Sequence, residues 1–126
     1  LARARAAGFD ETILLNERGE VSECTSANVF VVSDGTAFTP PLESGCLAGV
    51  TRDVLFEVGS AAGAPVVERT LRAEELFDAD EVFITSTTRE VLAVREIDGH
   101  APSHADVAVT MALARAFSEY VERHLS

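Results

Sequence analysis

Residues 21–39, "VSECTSANVFVVSDGTAFT", contain the pattern that decides the fold of this chain. Apolar and β-branched residues lie on both sides of Thr25 and Ser26, which predicts one strand, or two strands separated by a break at these residues. Asp34 and Gly35 form a typical hairpin turn, so we expect the second run to fold back onto "AFT". The stretch therefore predicts a sheet made of short strands.

The segments that follow show strand and helix signals in alternation. We expect further strands at "ETILLN", "APVVERT", "DEVFITS" and "VLAVREI", a central helix at "VTRDVLFEVGSAAG" and a short helix at "RAEELFD". The adjacent prolines of "TPPLESGCLAG" make that segment a loop that leads into the central helix. "DG" at residues 98–99 predicts another hairpin turn.

Both ends of the chain carry helix signals. "LARARAA" followed by Gly8 is typical of the last turns of a helix with a glycine beyond its end. We expect Ser103 to cap a final helix. Its apolar stripe would consist of Val107, Met111, Ala114, Phe117 and Val121. Together these elements predict a single α+β domain that is rich in strands, with a central helix and a C-terminal helix.

Composition excludes several classes of function. The 126 residues are 47% hydrophobic, enough to bury one core, and 21 acidic residues against 10 basic ones give a formal net charge of −11. This balance argues against nucleic acid or an anionic membrane as the partner. No apolar run approaches the ~20 residues of a membrane span, and "LARARAAG" lacks the apolar region of a signal peptide, so we expect a cytoplasmic protein.

Cysteine, histidine and lysine supply little catalytic chemistry here. Cys24 and Cys46 lack the spacing of a metal or redox motif, and we expect buried free thiols. His100, His104 and His124 show no metal-binding spacing, so we assign them no catalytic role and expect no metal site. All the basic residues counted as lysine or arginine are arginine, so no side chain in this sequence can form a Schiff base.

Glu23 is a carboxylate within a predicted strand that is otherwise apolar or small. Strand alternation leaves two alternatives: the Glu23 side chain points to solvent, or it points inward and meets a cation. The second alternative requires a partner, because burying an uncompensated charge costs several kcal/mol.

Two other places combine polar groups in a way that suits a ligand. Gly49, Val50 and Thr51 lie where a loop enters a helix, and free N–H groups together with the helix dipole favour an anion such as phosphate there. A structural cap formed by Thr51 is the alternative. The hydroxyl-rich residues 85–88 lie at the end of a predicted buried strand. They form either the rim of a binding site or an ordinary turn.

Three stretches together resemble a known family. "GFDETILLNERGEVSECTSANVFVV", "TPPLESGCLAGVTRD" and "DEVFITSTTREVLAVREIDG" are similar, in order and spacing, to the large C-terminal domain of the class IV, or fold type IV, pyridoxal-phosphate enzymes. That family contains branched-chain and D-amino-acid aminotransferases and aminodeoxychorismate lyase. The resemblance covers nearly the whole chain and implies the β-rich large domain of these enzymes, with pyridoxal 5′-phosphate as cofactor.

The resemblance implies a role for each candidate residue. Glu23 corresponds to the glutamate that pairs with the protonated pyridine nitrogen, which keeps the ring an effective electron sink. Gly49, Val50 and Thr51 correspond to the junction that holds the cofactor phosphate. Thr87 corresponds to a threonine that also reaches the phosphate.

The same resemblance implies substrate contacts, and it identifies parts of the family that this sequence lacks. The amides of Thr87 and Thr88 correspond to the binding position of a substrate carboxylate, and Asn28 to a supporting asparagine. The Schiff-base lysine and the smaller N-terminal domain of the family correspond to sequence before Leu1 and are absent here. We therefore expect residues 1–126 to be the C-terminal cofactor-binding domain, with no catalytic residue of its own and no activity alone.

The full-length parent, meaning the longer protein that would contain this chain, is expected to be a homodimeric aminotransferase. It would move an amino group between an amino acid, with branched-chain amino acids as candidates, and a 2-oxo acid. Two alternatives remain open from the sequence. One is aminodeoxychorismate lyase, which eliminates pyruvate with the same cofactor, and the other is a lysine-free module for binding or dimerisation.

Overall fold

The fold was analysed in a computed structural model, which describes residues 2–6, 9–24, 27–41, 50–86, 91–103 and 106–124. Within these ranges the strands are β1 Ala2–Ala6, β2 Phe9–Leu15, β3 Val21–Cys24, β4 Ala27–Ser33, β5 Thr36–Thr39, β6 Val66–Glu68, β7 Glu81–Ser86 and β8 Val91–Ile97. The helices are α1 Val50–Val58, α2 Ala73–Asp78 and α3 Ala108–His124.

The strands form one eight-stranded sheet in the order β3-β2-β1-β8-β7-β4-β5-β6. Neighbouring strands are antiparallel, except β5 and β6, which are parallel and are connected through α1. This crossover is required because two parallel neighbours cannot be joined by a tight hairpin. The α+β fold, rich in strands and with a central and a C-terminal helix, is confirmed.

Alternation along the strands separates two apolar clusters. Val29 and Val31 of β4 contribute to a cluster that includes Leu76 of α2, whereas the intervening Phe30 contributes to a cluster that includes side chains of α1 and α3. Phe30 lies opposite Phe83 of β7, and their rings stack with centroids 4.7 Å apart. Helices α1 and α3 therefore cover one face of the sheet.

The predicted hairpin of residues 27–39 is present, because β4 pairs with β5 through a turn at Asp34 and Gly35. Both turn residues have positive φ angles, 50° and 79°, as the tight hairpin turn requires. The Asp34 N–H donates to the carboxylate of Asp80, 3.0 Å away. The break was predicted at Thr25 and Ser26, which lie outside the described residues between the end of β3 at Cys24 and the start of β4 at Ala27.

The prediction of a helix at "LARARAA" was wrong, because residues Ala2–Ala6 form strand β1. This strand pairs with β2 on one side and with β8 on the other. Alanine and arginine favour helices, but this local preference is weak and is overridden by two rows of interstrand hydrogen bonds. The strict alternation of the two residue types has the two-residue period of a strand.

The start of the last helix was also predicted incorrectly. Helix α3 begins at Ala108, and Ser103 instead donates its backbone N–H to the carbonyl of Ala79, 3.1 Å away. Met111 of the expected stripe is 55% exposed. The buried residues of α3 are Thr110, Leu113 and Phe117. The turn at residues 98–99 is present, but it leads only to a single bridge between Ile97 and His100.

Helix α3 is capped by a residue far away in the sequence. The carboxylate of Glu81, the first residue of β7, accepts the backbone N–H of Val109 at 3.0 Å and that of Thr110 at 2.8 Å. It also accepts the Thr110 hydroxyl at 2.7 Å. Glu81 is fully buried, and its charge lies at the positive end of the helix dipole. Hydrogen bonds and dipole together compensate the buried carboxylate.

Candidate functional site

The first turn of α1 is the best-defined part of the candidate site. The helix begins at Val50, and Thr51 in its first turn is buried with 5% exposure. The N–H groups of this turn have no acceptor within the helix, and the dipole is positive here. Gly49 lies outside the described residues, as does the side chain of Val50. A buried hydroxyl at a helix N-terminus fits an anionic ligand.

Arg52, the next residue of α1, is a buried cation that sequence analysis missed. It is 3% exposed, and its Nη2 donates to the carbonyl of Pro40 at 3.1 Å and to the carboxylate of Glu68 at 2.6 Å. Its guanidinium also lies 4.8 Å from the centroid of the Phe56 ring. A cation in the first turn opposes the helix dipole, and this mismatch was the available sequence signal for a tertiary role.

The segment that follows β6 is hydrogen-bonded both to the end of β5 and to β3, the strand that contains Glu23. The backbone N–H of Arg69 donates to the carbonyl of Thr39 at the end of β5, at 2.9 Å. Two residues later, the carbonyl of Leu71 accepts the N–H of Val21 at 2.6 Å. Val21 begins the edge strand β3, which also contains Glu23. Strand β3 and the end of β5 are thus held by one short segment.

Glu23 has a defined backbone position, opposite Leu14 in the β2–β3 pair. Its side chain lies outside the described residues, so whether Glu23 faces a cofactor remains a prediction. The pairing register shifts between Leu14 and Leu15, next to this position. Such irregularities redirect the side chains of neighbouring strand residues.

The turn before β3 is stabilised by a local network. The Asn16 side chain accepts the N–H groups of Arg18 and Glu20, and its Nδ2 donates to the Glu20 carboxylate at 2.9 Å. The Arg18 guanidinium donates to the same carboxylate at 3.0 Å. The hydrogen bond from Asn16, and next the contact with Arg18, lower the pKa of Glu20 below its ordinary value despite partial desolvation. This network fixes the entry into β3.

Polar residues lie at one end of the β4–β7 pair, on the sheet face that α1 and α3 cover. Asn28 and Thr85 are opposite each other and are buried, with 7% and 3% exposure. Thr87 and Thr88, predicted to contact phosphate and substrate, follow shortly after Thr85 but lie outside the described residues. The buried pair gives the end of β7 a polar character that suits a binding site.

A groove with a volume of about 600 Å³ lies elsewhere in the molecule. Its lining includes Glu57 and Val58 from the C-terminal end of α1 and Tyr120 of α3. The charge of Glu57, followed by desolvation and a hydrogen bond to Glu57, raises the pKa of Tyr120. Because the candidate site is at the opposite end of α1, we do not assign the groove to it.

Two structural features bear on metals and membranes. Within the described ranges, no group of three or more histidine, cysteine, aspartate or glutamate side chains could hold a metal ion. In the same part of the chain, no helix has the length and apolar character needed to cross a membrane.

Residues 1–97 match a family model described as amino-transferase class IV. The branched-chain-amino-acid aminotransferase of Escherichia coli K12 is 42% identical over 98 residues, which are 78% of this chain and 32% of that protein. The branched-chain aminotransferase of Thermoproteus uzoniensis, solved with norvaline, superposes with a TM-score of 0.83 and 35% identity, covering 94% of this chain and 39% of that one.

A second solved relative is a cofactor-bound form. The branched-chain aminotransferase of Thermobaculum terrenum, in its PLP form, superposes with a TM-score of 0.81 and 34% identity, covering 90% of this chain and 38% of that one. The chain spans less than half the length of the curated relatives that it matches.

Proposed function

Because this chain belongs to the class IV aminotransferase family, we propose that it is the cofactor-binding part of a longer, pyridoxal-phosphate-dependent aminotransferase. The parent would supply the Schiff-base lysine and a smaller N-terminal domain from sequence before Leu1. One structural observation carries the proposal: the buried hydroxyl of Thr51 lies in the first turn of α1, where helix geometry leaves backbone N–H groups without an intrahelical acceptor. These donors suit a doubly negative phosphate.

In this proposal the residues at the start of α1 hold the cofactor phosphate. The backbone N–H groups of Val50 and Thr51 and the Thr51 hydroxyl donate to its oxygens. Gly49 permits close approach of the backbone, since it lacks a side chain. Thr87 adds a further donor from the end of β7. Together they orient the cofactor relative to the sheet.

Glu23 performs the electrostatic task at the other end of the cofactor. When bound, pyridoxal phosphate supplies an electron sink for the negative charge that develops at the substrate α-carbon. The Glu23 carboxylate favours the proton on the pyridine nitrogen, because an opposite charge at short range stabilises the charged form. The connection of β3 to residue 71 restrains the strand that presents this carboxylate.

The substrates would be an amino acid and a 2-oxo acid. The amides of Thr87 and Thr88 would bind the substrate carboxylate. Branched-chain amino acids are the favoured class, because the relatives described above are branched-chain aminotransferases. The parent would act as a homodimer. No specific observation favours the lyase or the non-catalytic module.

The proposal is tested with the purified full-length parent. A panel of amino acids is incubated with 2-oxoglutarate and pyridoxal phosphate, and glutamate formation is measured. We expect transfer from branched-chain amino acids, and its loss when the upstream lysine is replaced by alanine. Pyruvate release from aminodeoxychorismate without glutamate formation would instead support the lyase. Absence of both activities in a protein that binds no cofactor would support the non-catalytic module.

A further inference from the structure

The geometry around Arg52 points to a role beyond helix stability. We infer that Arg52 is a positioning residue: it ties the first turn of α1 to the end of β5 and to β6, and so sets the position of the turn that is proposed to bind the phosphate. The contacts of Arg52 with Pro40 and Glu68 are called the Arg52 clamp below. This inference rests on the proposed function, since it concerns the same phosphate.

The Arg52 clamp joins the first turn of α1 directly to the end of β5. Pro40 follows the last residue of β5, and Arg52 lies in the first turn of α1. The hydrogen bond from Arg52 Nη2 to the Pro40 carbonyl is 3.1 Å long and buried. This hydrogen bond limits how far the start of α1 can move away from the sheet.

The acceptors of Arg52 are themselves fixed. Glu68 of β6 pairs in register with Thr39 of β5, the residue before Pro40. The fully buried Thr39 donates its hydroxyl to the carbonyl of Val29 in β4, 2.9 Å away. The central sheet therefore holds both acceptors of the guanidinium. The clamp transmits the position of the sheet to the first turn of α1.

Lysine could not reproduce this arrangement. The arginine fork is planar and offers several donors at fixed angles, whereas a lysine ammonium is a point charge on a flexible stem. The guanidinium also packs over the Phe56 ring. Arg52 Nε is buried and has no acceptor within the described residues. Arg52→Lys therefore keeps the charge but removes the geometry, which separates positioning from simple attraction of an anion.

A positioning role and a purely structural role of Arg52 predict different changes in the affinities for two ligands, one with a phosphate and one without. If Arg52 sets the phosphate cradle, its loss weakens binding of pyridoxal 5′-phosphate but not of pyridoxal, which lacks the phosphate. If Arg52 only stabilises the fold, both ligands lose affinity together. The ratio of the two dissociation constants is thus insensitive to general damage.

The experiment uses the apo form of the full-length parent, titrated with each ligand and followed by cofactor absorbance. For Arg52→Lys we expect the Kd of pyridoxal phosphate to rise about 10- to 100-fold, because a displaced turn would lose one or two of its own hydrogen bonds to the charged phosphate. We expect the Kd of pyridoxal to remain within about twofold. Glu68→Gln, at a half-exposed position, is a milder second variant that should shift the ratio in the same direction.

Arg69→Lys is the matched control. Arg69 also forms an ion pair, with Glu75, and its guanidinium lies 4.2 Å from the centroid of the Phe38 ring, so these contacts differ from those of the Arg52 clamp. We expect its ratio of dissociation constants to equal that of the wild type.

Three results would overturn the inference. An unchanged ratio in Arg52→Lys and Glu68→Gln, in a parent that binds pyridoxal phosphate, refutes the Arg52 clamp alone. An equal change in Arg69→Lys does the same, because the effect would then be general. A wild-type parent that binds neither ligand refutes the proposed function and, with it, this inference.

Discussion

Replacing Glu81 by alanine should destabilise the start of α3 strongly. The substitution removes the acceptor of two backbone N–H groups and one hydroxyl, all within 3.0 Å of the carboxylate oxygens. These N–H groups lie in the first turn of α3, where no intrahelical carbonyl is available to them. The side chain is fully buried, so the donors would remain unsatisfied unless water entered.

The magnitude follows from opposing contributions. Loss of an N-cap costs about 0.5–2 kcal/mol, and each buried donor left unsatisfied costs about 1–3 kcal/mol. Removal of a buried carboxylate returns part of its desolvation penalty, so these costs do not simply add. We expect a net local destabilisation of about 2–4 kcal/mol for Glu81→Ala. Glu81→Gln keeps one acceptor and most of the volume and should cost about 1–2 kcal/mol.

Native-state hydrogen exchange of the full-length parent, read by mass spectrometry, measures this effect locally. A loss of about 2–4 kcal/mol corresponds to exchange about 30- to 1,000-fold faster in peptides that cover the start of α3, because each 1.4 kcal/mol is tenfold. Glu74→Gln is the control, since Glu74 is also an acidic residue in the first turn of a helix but is exposed. Glu74→Gln should change the exchange rate less than about threefold, because exposed substitutions usually change stability by no more than about 0.5 kcal/mol. Similar exchange in Glu81→Ala and Glu74→Gln would refute the assigned cap.

Three further predictions concern titration and catalysis. Tyr120 is the one tyrosine of residues 1–126, and replacing Glu57 by glutamine in the parent should lower its pKa, so that the tyrosinate absorbance which Tyr120→Phe removes appears at lower pH; an unchanged curve would contradict the contact. The raised pKa also means that the stabilisation from Tyr120 is present at lower pH and is lost as pH rises through the folded-state pKa. For Glu20 the sign is opposite: its pKa is lowered, first by Asn16, so its contribution is present above the unfolded-state pKa and is lost on acidification. The gap in urea midpoint between wild type and Glu20→Gln should therefore close at acid pH, and a constant gap would refute this. Glu23→Gln should leave the cofactor bound to the parent but lower kcat by on the order of 100-fold; an unchanged kcat would remove Glu23 from its role.

The parts of the fold that were predicted correctly depend on neighbours in sequence. The hairpin between β4 and β5 follows from Asp34 and Gly35, which tolerate the positive φ angles of the turn. The helix starting at Val50 also has a local signal. Such elements can be predicted because the residues that stabilise them lie within a few positions.

The parts that were not predicted depend on distant residues. Strand β1 owes its conformation to β2 and to β8, and the latter lies about ninety residues later in the chain. The start of α3 depends on Glu81, which local capping rules do not identify. Arg52 is buried because Pro40 and Glu68 meet it, although the helical pattern places it outside the apolar stripe.

The candidate site was anticipated mainly through family resemblance. Local reasoning identified Thr51 as a cap or an anion ligand and left both alternatives open. The structure adds that Thr51 is buried in the first turn of α1. Glu23, Thr87 and Thr88 remain predictions, because the contacts that would assign their roles lie outside the described residues.

The central claim is that this chain is the cofactor-binding part of a pyridoxal-phosphate enzyme. Its most direct test is borohydride reduction of the full-length parent with pyridoxal phosphate, followed by peptide mass spectrometry. Residues 1–126 contain no lysine, so no labelled lysine can fall within them. We predict a single, stoichiometric label on one lysine upstream of Leu1. No label, or weak label spread over many lysines, would contradict the account.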